Sequence, residues 1–331
     1  MQQRAFGHTG LQVTPIGLGL AALGRPGYIN LGHSGDLHGE YDESVMEAHS
    51  HTVLDAAWNL GIRYFDAARS YGKAEDFLGS WLQSRAIDPT TVSVGSKWGY
   101  IYTADWKISA EKHEIKEHSL DNLNRQIEES LSHLSPFLQL YQIHSATRES
   151  GVLENQPVLE RLGELRDQGL IIGLSLSGPN QADVLRQAMS VSINNRPLFG
   201  EVQATWNLLS QEVGAALNEA HLAGMGVIVK EALANGRLTP RNSESEFRPQ
   251  LERLTKAAAA HDTTIDALAI AGVLAQPWVD CVLSGATTVE QLTSNVAALK
   301  LDWSDELEEL GRSLTESPEA YWATRSRLAW N

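Results

Sequence analysis

The sequence has very little cysteine and few basic residues for its length. Its 331 residues include one cysteine, Cys281, and 26 lysines and arginines against 41 aspartates and glutamates, which gives a formal net charge of −15. A lone cysteine cannot form an internal disulfide, so a reducing compartment is expected. The acidic balance has the wrong sign for a general nucleic-acid or anionic-membrane binder. We therefore expect neither nucleic acid nor a membrane as a partner.

Long hydrophobic runs are also missing. Residues 1–7 lack the apolar core of a secretion signal, and no uncharged apolar run elsewhere is long enough to span a bilayer. Hydrophobic residues make up 42% and charged residues 20% of the chain, as is ordinary for a folded protein. These features predict a cytoplasmic protein with a sizeable core.

Short apolar runs and amphipathic helical stretches alternate along the chain. Apolar runs without polar alternation predict strands buried on both faces, as in a parallel sheet covered by helices. The strand-like runs are residues 13–18, 62–65, 92–96, 138–143, 171–174, 201–204, 226–229 and 279–283. The helical stretches are residues 50–60, 74–83, 119–133, 157–167, 180–189, 212–223, 247–261, 264–275 and 289–299. Eight strand–helix units suggest a closed (β/α)₈ TIM barrel, and a doubly wound open sheet is the competing topology.

Polar residues close, or lie inside the ends of, seven of the apolar runs. They are Asp66, Lys97, His144, Ser175, Gln203, Lys230 and Ser284. In a closed parallel barrel the carboxyl ends of the strands share one rim, where active sites lie, whereas in an open sheet they would spread along an edge. Polar strand ends that form one site therefore favour the barrel. We expect residues 1–331 to form a single domain of this kind.

Three segments outside this pattern carry predictions of their own. Residues 4–12, with a tight turn at residues 7–10, predict a hairpin that closes the barrel floor. Residues 24–46 form a long loop without an apolar period and are a candidate substrate lid. His49 and His51 form a His-x-His pair, but at the predicted start of a helix rather than the end of a strand, so no metal site is expected.

The side chains of Asp66, Tyr71, Lys97 and His144 suit one kind of chemistry if they share a rim. A phenol with a pKa near about 10 is a poor acid at neutral pH unless a cation stabilises its phenolate. Lys97 could supply that charge, with Asp66 holding the lysine protonated and aimed. His144 could polarise a substrate carbonyl. The combination suits reduction of C=O, with hydride delivered to carbon and a proton to oxygen.

These residues resemble the aldo-keto reductase superfamily. Residues 61–75 resemble its first signature, with Ala67 where threonine is usual, and Asp66, Tyr71, Lys97 and His144 match its catalytic tetrad in order. The resemblance runs from about residue 4 to residue 295. It implies a (β/α)₈ barrel that uses a nicotinamide cofactor to reduce a small aldehyde or ketone.

The resemblance also implies a cofactor site. Ser175 and Gln203 would hold the nicotinamide carboxamide, and Lys230 replaces an aromatic residue that often stacks on the nicotinamide. A lysine at that position could pair with an acid or with a cofactor phosphate. The loop 233–236 would wrap the pyrophosphate with backbone N–H groups. The implied positions from there to the adenosine end are Leu233, Gly236, Ser284, Gly285, Thr288, Gln291 and Asn295.

The cofactor itself is expected to be NADP(H) by family habit, with NAD(H) possible. Members that prefer NADP usually carry Lys or Arg near the adenosine end, and this chain offers only Thr288 and Gln291 there, beside Glu290. Thr288 and Gln291 also fit a helix capping box without any ligand role.

The leading prediction is an NAD(P)H-dependent oxidoreductase that reduces the carbonyl of small aldehydes or ketones, sugar-like ones included. Tyr71 would be the general acid, Lys97 the cation beside it, Asp66 the anchor of the lysine and His144 the group that orients the carbonyl. Two alternatives are a regulatory or scaffold barrel that binds NAD(P) with little turnover, and an NAD-dependent sugar dehydrogenase working in the oxidative direction. The sequence leaves the oligomeric state open.

Overall fold

Fourteen strands and twelve helices make up the computed structural model, which describes residues 1–331. The strands are β1 (Arg4–Ala5), β2 (Gln12–Val13), β3 (Ile16–Gly19), β4 (Tyr64–Asp66), β5 (Ser93–Trp98), β6 (Tyr100–Tyr102), β7 (Glu114–Lys116), β8 (Leu138–Ala146), β9 (Ile171–Leu176), β10 (Ser192–Ile193), β11 (Arg196–Pro197), β12 (Glu201–Thr205), β13 (Gly226–Lys230) and β14 (Cys281–Ser284). The eight predicted runs each overlap one strand of a single closed sheet. The two agree because strands of a parallel sheet covered by helices are buried on both faces and therefore appear as continuous apolar runs.

The central sheet is a closed parallel barrel. Its strands follow the order β3, β4, β5, β8, β9, β12, β13 and β14, and β14 pairs with β3 to close the ring. Within the ring every pairing is parallel, and each strand is joined to the next by a connection that carries at least one helix. The predicted (β/α)₈ barrel is confirmed, and the open sheet is excluded.

Helices surround the barrel. They are α1 (His33–Asp36), α2 (Glu43–Asn59), α3 (Ala74–Ser84), α4 (Leu120–Leu134), α5 (Gln156–Asp167), α6 (Gln181–Met189), α7 (Gly214–Leu222), α8 (Arg248–Ala260), α9 (Ile265–Leu274), α10 (Val289–Ala297), α11 (Asp305–Ser313) and α12 (Pro318–Ser326). Their apolar faces and the outer faces of the strands form one core of 60 buried residues. No helix is long and apolar enough to cross a membrane.

The hairpin β1–β2 closes the floor of the barrel, as predicted. Phe6, which follows β1, is fully buried and packs with Val13, Tyr64, Ile228 and Cys281 in a small core of its own. A Cβ atom on Gly226 would lie 2.5 Å from the Phe6 ring, so only glycine leaves room for that ring under the barrel. The floor is thus a packed plug, which leaves the opposite rim for chemistry.

The structure differs from the sequence prediction in three places. Helix α2 begins at Glu43 rather than at residue 50, with Asp42 capping it by accepting from the N–H of Ser44 at 2.9 Å. Its first three residues, Glu43, Ser44 and Val45, are exposed, so the apolar period is weak at this end of the helix. The loop 24–46 therefore contains α1 and the start of α2, and His49 and His51 lie inside α2 rather than at its start. Helices α11 and α12 were not predicted.

Candidate active site

Four predicted catalytic side chains meet at the rim where the strands end. Asp66 ends β4, Lys97 lies next to last in β5, His144 lies near the end of β8, and Tyr71 follows on the loop after β4. Lys97 donates from Nζ to the Asp66 carboxylate and, at 2.9 Å, to the carbonyl of Ala67. Both side chains of this ion pair are almost completely buried. Pairing in this way offsets the cost of removing two charges from water.

The Asp66 carboxylate is held by three further donors. Its Oδ1 accepts from the Tyr64 hydroxyl at 3.1 Å, from Gln142 Nε2 at 3.2 Å and from Gln203 Nε2 at 3.1 Å. A Cβ atom on Gly95 would lie 2.5 Å from the Tyr64 hydroxyl, so a glycine is needed for that hydroxyl to reach Asp66. The network fixes the carboxylate, and through it the ammonium of the lysine, in one orientation.

A β-bulge directs His144 into the site. The register between β8 and β9 shifts after Ile143, and Ser145 takes a left-handed conformation with φ 54°. The N–H of Ser145, freed from the ladder by the shift, donates to the Ser175 hydroxyl at 2.8 Å. Bulges commonly re-aim side chains next to active sites. Ser175 therefore stabilises the bulge that carries His144.

The imidazole of His144 is neutral around pH 7. Burial, and then the charges of Lys97 and Lys230, lower the pKa of His144 well below its usual value. The Ser70 hydroxyl lies 3.4 Å from Nδ1, and the Tyr71 hydroxyl lies 3.5 Å from Nε2. If Ser70 donates to Nδ1, the ring proton is on Nε2 and points to the side of Tyr71. A neutral donor there can hydrogen-bond a carbonyl oxygen without releasing a proton to it.

Tyr71 remains a protonated phenol in this environment. Burial, followed by the charge of Asp66, raises the pKa of Tyr71 well above its usual value, and Arg25 is the strongest of the influences that lower it. The Nζ of Lys97 lies 5.0 Å from the centroid of the Tyr71 ring. Tyr71 can therefore give a proton to a developing alkoxide while two cations limit the cost of the phenolate.

A cavity of about 590 Å³ runs from the tetrad to the start of α10. At one end it is lined by Asp66, Tyr71 and His144, and at the other by Gln291 and neighbouring residues. The Cβ position of Gly285 faces nothing closer than Asn30 Nδ2 at 3.9 Å, so the backbone there is open to the cavity. A long cavity with exposed backbone and amide donors fits a dinucleotide that carries its reactive ring to Tyr71.

Most of the predicted cofactor residues lie in the wall of this cavity. Those in the wall are Gln203, Lys230, Leu233, Gly236, Ser284, Gly285, Gln291 and Asn295. Ser175 and Thr288 are not part of the wall. Ser175 supports the bulge described above, and Thr288 caps α10 by accepting from the N–H of Gln291 at 3.2 Å. The side chains of Asn295 and Ser284 are hydrogen-bonded to each other at 2.8 Å.

Lys230 is held in a cluster of buried charges. Its Nζ donates to the Thr205 hydroxyl at 2.7 Å and lies 3.9 Å from Glu231, which in turn accepts a bidentate ion pair from Arg325 of α12. Burial lowers the pKa of Lys230 to about 8. Burial alone would raise the pKa of Glu231, but Arg325 and Lys230 outweigh it and hold that pKa at about 2.

The far end of the cavity is dominated by a carboxylate from residues 24–46, the first loop of the barrel rim. Asp36 accepts from the Thr287 hydroxyl at 2.8 Å, from Gln291 Nε2 at 2.9 Å and from Arg241, whose guanidinium pairs with both carboxylate oxygens. Asp266 and Glu290 lie in the same part of the wall. Three carboxyl groups and one arginine therefore surround the place where the adenosine end is expected.

The first loop forms a roof over this cavity rather than a lid over the substrate alone. The N–H of Leu31 donates to the carbonyl of Asn235 at 3.0 Å, and a Cβ atom on Gly236 would lie 2.9 Å from Leu31 Cβ. Arg25 and Tyr28 line the tetrad end of the cavity, while Asp36 lines the other end. The same loop thus contacts both regions of the site.

Several functional residues were missed in the sequence. Gln142 and Tyr64 lie two residues before His144 and Asp66 on their strands, and alternation along a strand would have placed them on the same inward side. Arg325 lies beyond the region of resemblance and meets Glu231 only through the packing of α12. Asp36 ends the short helix α1 and Arg241 lies in a loop, and no periodic pattern in the sequence relates the two residues. His49 and His51 bind different carbonyls, those of Thr287 at 2.6 Å and Phe77 at 3.2 Å.

Comparison with known proteins agrees with this fold. A sequence profile described as "Aldo/keto reductase family" matches residues 15–310. Pyridoxal 4-dehydrogenase from Microbacterium luteolum is 26% identical, over 92% of this chain and 95% of its own. L-galactose dehydrogenase from Arabidopsis thaliana is 28% identical, over 100% of this chain and 97% of its own. The holo form of an aldo-keto reductase from Bacillus halodurans has the same fold, with a TM-score of 0.73 at 21% identity, over 96% of this chain and 97% of its own.

Proposed function

The chain belongs to the aldo/keto reductase family and is an NAD(P)-dependent oxidoreductase, and we propose that it interconverts a small hydroxylated aldehyde or ketone with its alcohol. The observation that carries the proposal is the cluster of Asp66, Tyr71, Lys97 and His144 at one end of a long cavity. We propose that residues 1–331 form one barrel domain. The cytoplasmic location stays a prediction.

In the reductive direction the protein has to orient a carbonyl and supply one proton. The bound nicotinamide supplies the hydride. His144 Nε2 donates to the carbonyl oxygen and holds it beside the Tyr71 hydroxyl. Tyr71 then donates its proton to the oxygen as negative charge develops, and Lys97, fixed by Asp66, stabilises the phenolate that is left. In the oxidative direction Tyr71 accepts the proton from an alcohol at the same position.

The polar wall around the tetrad favours a hydroxylated substrate. Arg25, Glu114, Lys230, Glu231 and Arg325 all line this part of the cavity. Such charged groups form hydrogen bonds with hydroxyls but pay a desolvation cost against an apolar aldehyde. The names of the two dehydrogenase relatives support the same class, since galactose and pyridoxal are hydroxylated aldehydes that close to cyclic hemiacetals. Oxidation of a cyclic hemiacetal is therefore the second candidate reaction.

For the cofactor we propose NAD(H) rather than the NADP(H) expected from family habit. The carboxylate of Asp36 occupies the hydrogen-bonding groups of Thr287 and Gln291, and its charge is balanced by Arg241. A ribose hydroxyl fits beside such a neutral pair, whereas a 2′-phosphate would add two negative charges near Asp266 and Glu290. Isothermal titration with both cofactors tests the choice, and tighter binding of NADP(H) would overturn it.

The reaction is tested by replacing the proposed acid. Tyr71→Phe removes the proton donor and should lower turnover by about 10²–10⁴ while leaving cofactor affinity within about twofold. The assay panel contains glyceraldehyde and aldoses, with hexanal as an apolar control, and follows cofactor absorbance in both directions. Unchanged turnover in Tyr71→Phe would remove the mechanism. Tight cofactor binding with no turnover of any substrate would support the regulatory or scaffold alternative instead.

A further inference from the structure

Arg25 is a buried arginine that the reaction as described does not use. It lies in the first loop and is 3% exposed. Its Nε donates to the carbonyl of Ala21 at 3.2 Å, and its Nη1 donates to the carbonyl of Ser70 at 3.1 Å and to Glu114 Oε2 at 3.0 Å. Acceptors in three different segments therefore hold the guanidinium in place.

The guanidinium is packed against aromatic rings, and one of them belongs to Tyr71. Its Cζ lies 5.1 Å from the centroid of the Tyr71 ring, 5.0 Å from that of Tyr28 and 4.8 Å from that of Trp330. At such distances a cation is attracted to the face of an aromatic ring. With Lys97 Nζ at 5.0 Å from the same centroid, two cations lie close to the Tyr71 ring.

The charges of Lys97 and Arg25 are compensated to different extents by their carboxylate partners. Lys97 makes direct contact with Asp66, which is buried with it, so the carboxylate compensates most of the lysine charge felt by Tyr71. Arg25 is paired with Glu114, whose side chain is 23% exposed and therefore more strongly screened by water. The charge of Arg25 thus acts on the phenol with less compensation than that of Lys97.

We propose that Arg25 is a positioning residue for Tyr71. The charge of Arg25 makes the Tyr71 phenol a stronger acid, and its hydrogen bond to Ser70 holds the loop that carries Tyr71. The inference rests on the proposed role of Tyr71. The bond to the Ser70 carbonyl anchors the residue just before Tyr71, and the Ser70 hydroxyl in turn faces His144 Nδ1. Loss of Arg25 would therefore disturb both groups that contact the substrate oxygen.

The other charged groups around Tyr71 have to be counted with Arg25. Asp66, Glu114 and Glu231 raise the pKa of Tyr71, and Arg25 opposes them. Lys97 lies by the ring, and His144, which is neutral, faces the hydroxyl. Because Arg25 opposes these carboxylates, its removal should raise the pKa of Tyr71, whereas removing the charge of Glu114 should lower it.

The test measures the ionisation of Tyr71 directly. The full chain is labelled with 3-fluorotyrosine, whose phenol titrates at lower pH than that of tyrosine, and the Tyr71 signal is assigned in the ¹⁹F NMR spectrum by its loss in Tyr71→Phe. Arg25→Met should raise the pKa of this residue by about one unit, and Glu114→Gln should lower it. Arg25→Lys keeps the positive charge, so the pKa of Tyr71 in this variant should stay close to the wild-type value.

A matched control is available elsewhere in the chain. Arg63 also stacks on an aromatic ring, with Cζ 3.6 Å from the Trp58 centroid, and donates to two backbone carbonyls outside the site. Arg63→Met should leave the Tyr71 signal and the pH profile of turnover unchanged. In Arg25→Met the basic limb of the kcat profile for reduction should move up by about one pH unit, and turnover in the oxidative direction near pH 7 should fall about tenfold.

The outcomes separate this inference from the proposed function. An unchanged Tyr71 titration in both Arg25→Met and Glu114→Gln would overturn the role of Arg25, whatever the enzyme turns over. If Arg25→Met does not fold, Glu114→Gln still decides, because it leaves Arg25 in place. A titration that shifts as expected in an enzyme without carbonyl turnover would support the Arg25–Tyr71 coupling and contradict the proposed reaction.

Discussion

At the scale of single residues, Lys230 departs most from the family pattern. The sequence alone does not decide whether Lys230 pairs with an acidic side chain or with a cofactor phosphate. In the structure its ammonium is bound to Thr205 and lies near Glu231, which is already paired with Arg325. Lys230 therefore belongs to a buried charge cluster beside the tetrad, at the place where the resemblance puts the nicotinamide.

This position predicts a pH-dependent preference between the two redox forms of the cofactor. Burial lowers the pKa of Lys230 to about 8, so the side chain is a cation below that pH and neutral above it. A cation repels the positively charged oxidised ring but not the neutral reduced ring. The ratio of the Kd for the oxidised form to that for the reduced form should therefore fall by up to about tenfold as the pH rises through 8.

The measurement is a fluorescence and calorimetric titration of both forms between pH 6.5 and 9.5. In Lys230→Met the ratio should stay low at every pH. Lys107→Met, which removes a well-exposed lysine, is the control and should keep the wild-type dependence. The same dependence in Lys230→Met as in the wild type would show that another group is responsible.

At the scale of elements, the strands and helices with strong patterns were predictable and the loops were not. Eight apolar runs gave eight barrel strands, and the tetrad followed because parallel strands share a rim. Asp66 and His144 could be placed in this way, but the bulge that aims His144 depends on Ser145 and Ser175 meeting across two strands. The first loop could be recognised as unusual only by its length, since its contacts are all distant in sequence.

That loop carries the next prediction, which concerns cofactor choice. Asp36 and Arg241 form a bidentate pair between the first loop and the segment after Gly236. Asp36→Asn removes the negative charge and leaves Arg241 free to bind a phosphate. We expect the affinity for NADP(H) to rise at least about tenfold relative to NAD(H).

The matched control is the Asp55–Arg85 pair between α2 and α3, which is also bidentate but lies on the outer surface. Asp55→Asn should leave the ratio of the two affinities unchanged. Calorimetric titration with both cofactors provides the measurement. A ratio that does not move in Asp36→Asn would mean that the 2′ position lies elsewhere in the cavity.

At the scale of the whole molecule, the net charge of −15 raises the question of how an acidic protein binds an anionic cofactor. Four basic residues line the cavity, and they are Arg25, Lys230, Arg241 and Arg325. Each arginine is paired with a carboxylate, so the cavity offers fixed hydrogen-bond donors rather than excess positive charge. Such a site suits the cofactor with fewer phosphate charges, which agrees with the proposal of NAD(H).

Burial of charge and of histidine also sets how the whole fold responds to acid. His33 is fully buried with no hydrogen-bond partner on either ring nitrogen, and the only hydrogen bond of the His118 ring is to the carbonyl of His144. Burial lowers the pKa of both His33 and His118 to about 4. In the unfolded chain a histidine has a pKa of about 6.5. Between these values the unfolded chain binds more protons than the folded one.

Stability should therefore be fully present above about pH 6.5 and be lost as the pH falls toward 4. Each histidine contributes a slope of at most about 1.4 kcal/mol per pH unit in that range. Urea unfolding at pH 7.5, 6.5, 5.5 and 4.5 measures the slope, and His33→Asn should reduce it. His38→Asn, an exposed position of the same loop, should not. A slope that is the same in His33→Asn and the wild type would show that His33 does not carry this acid sensitivity.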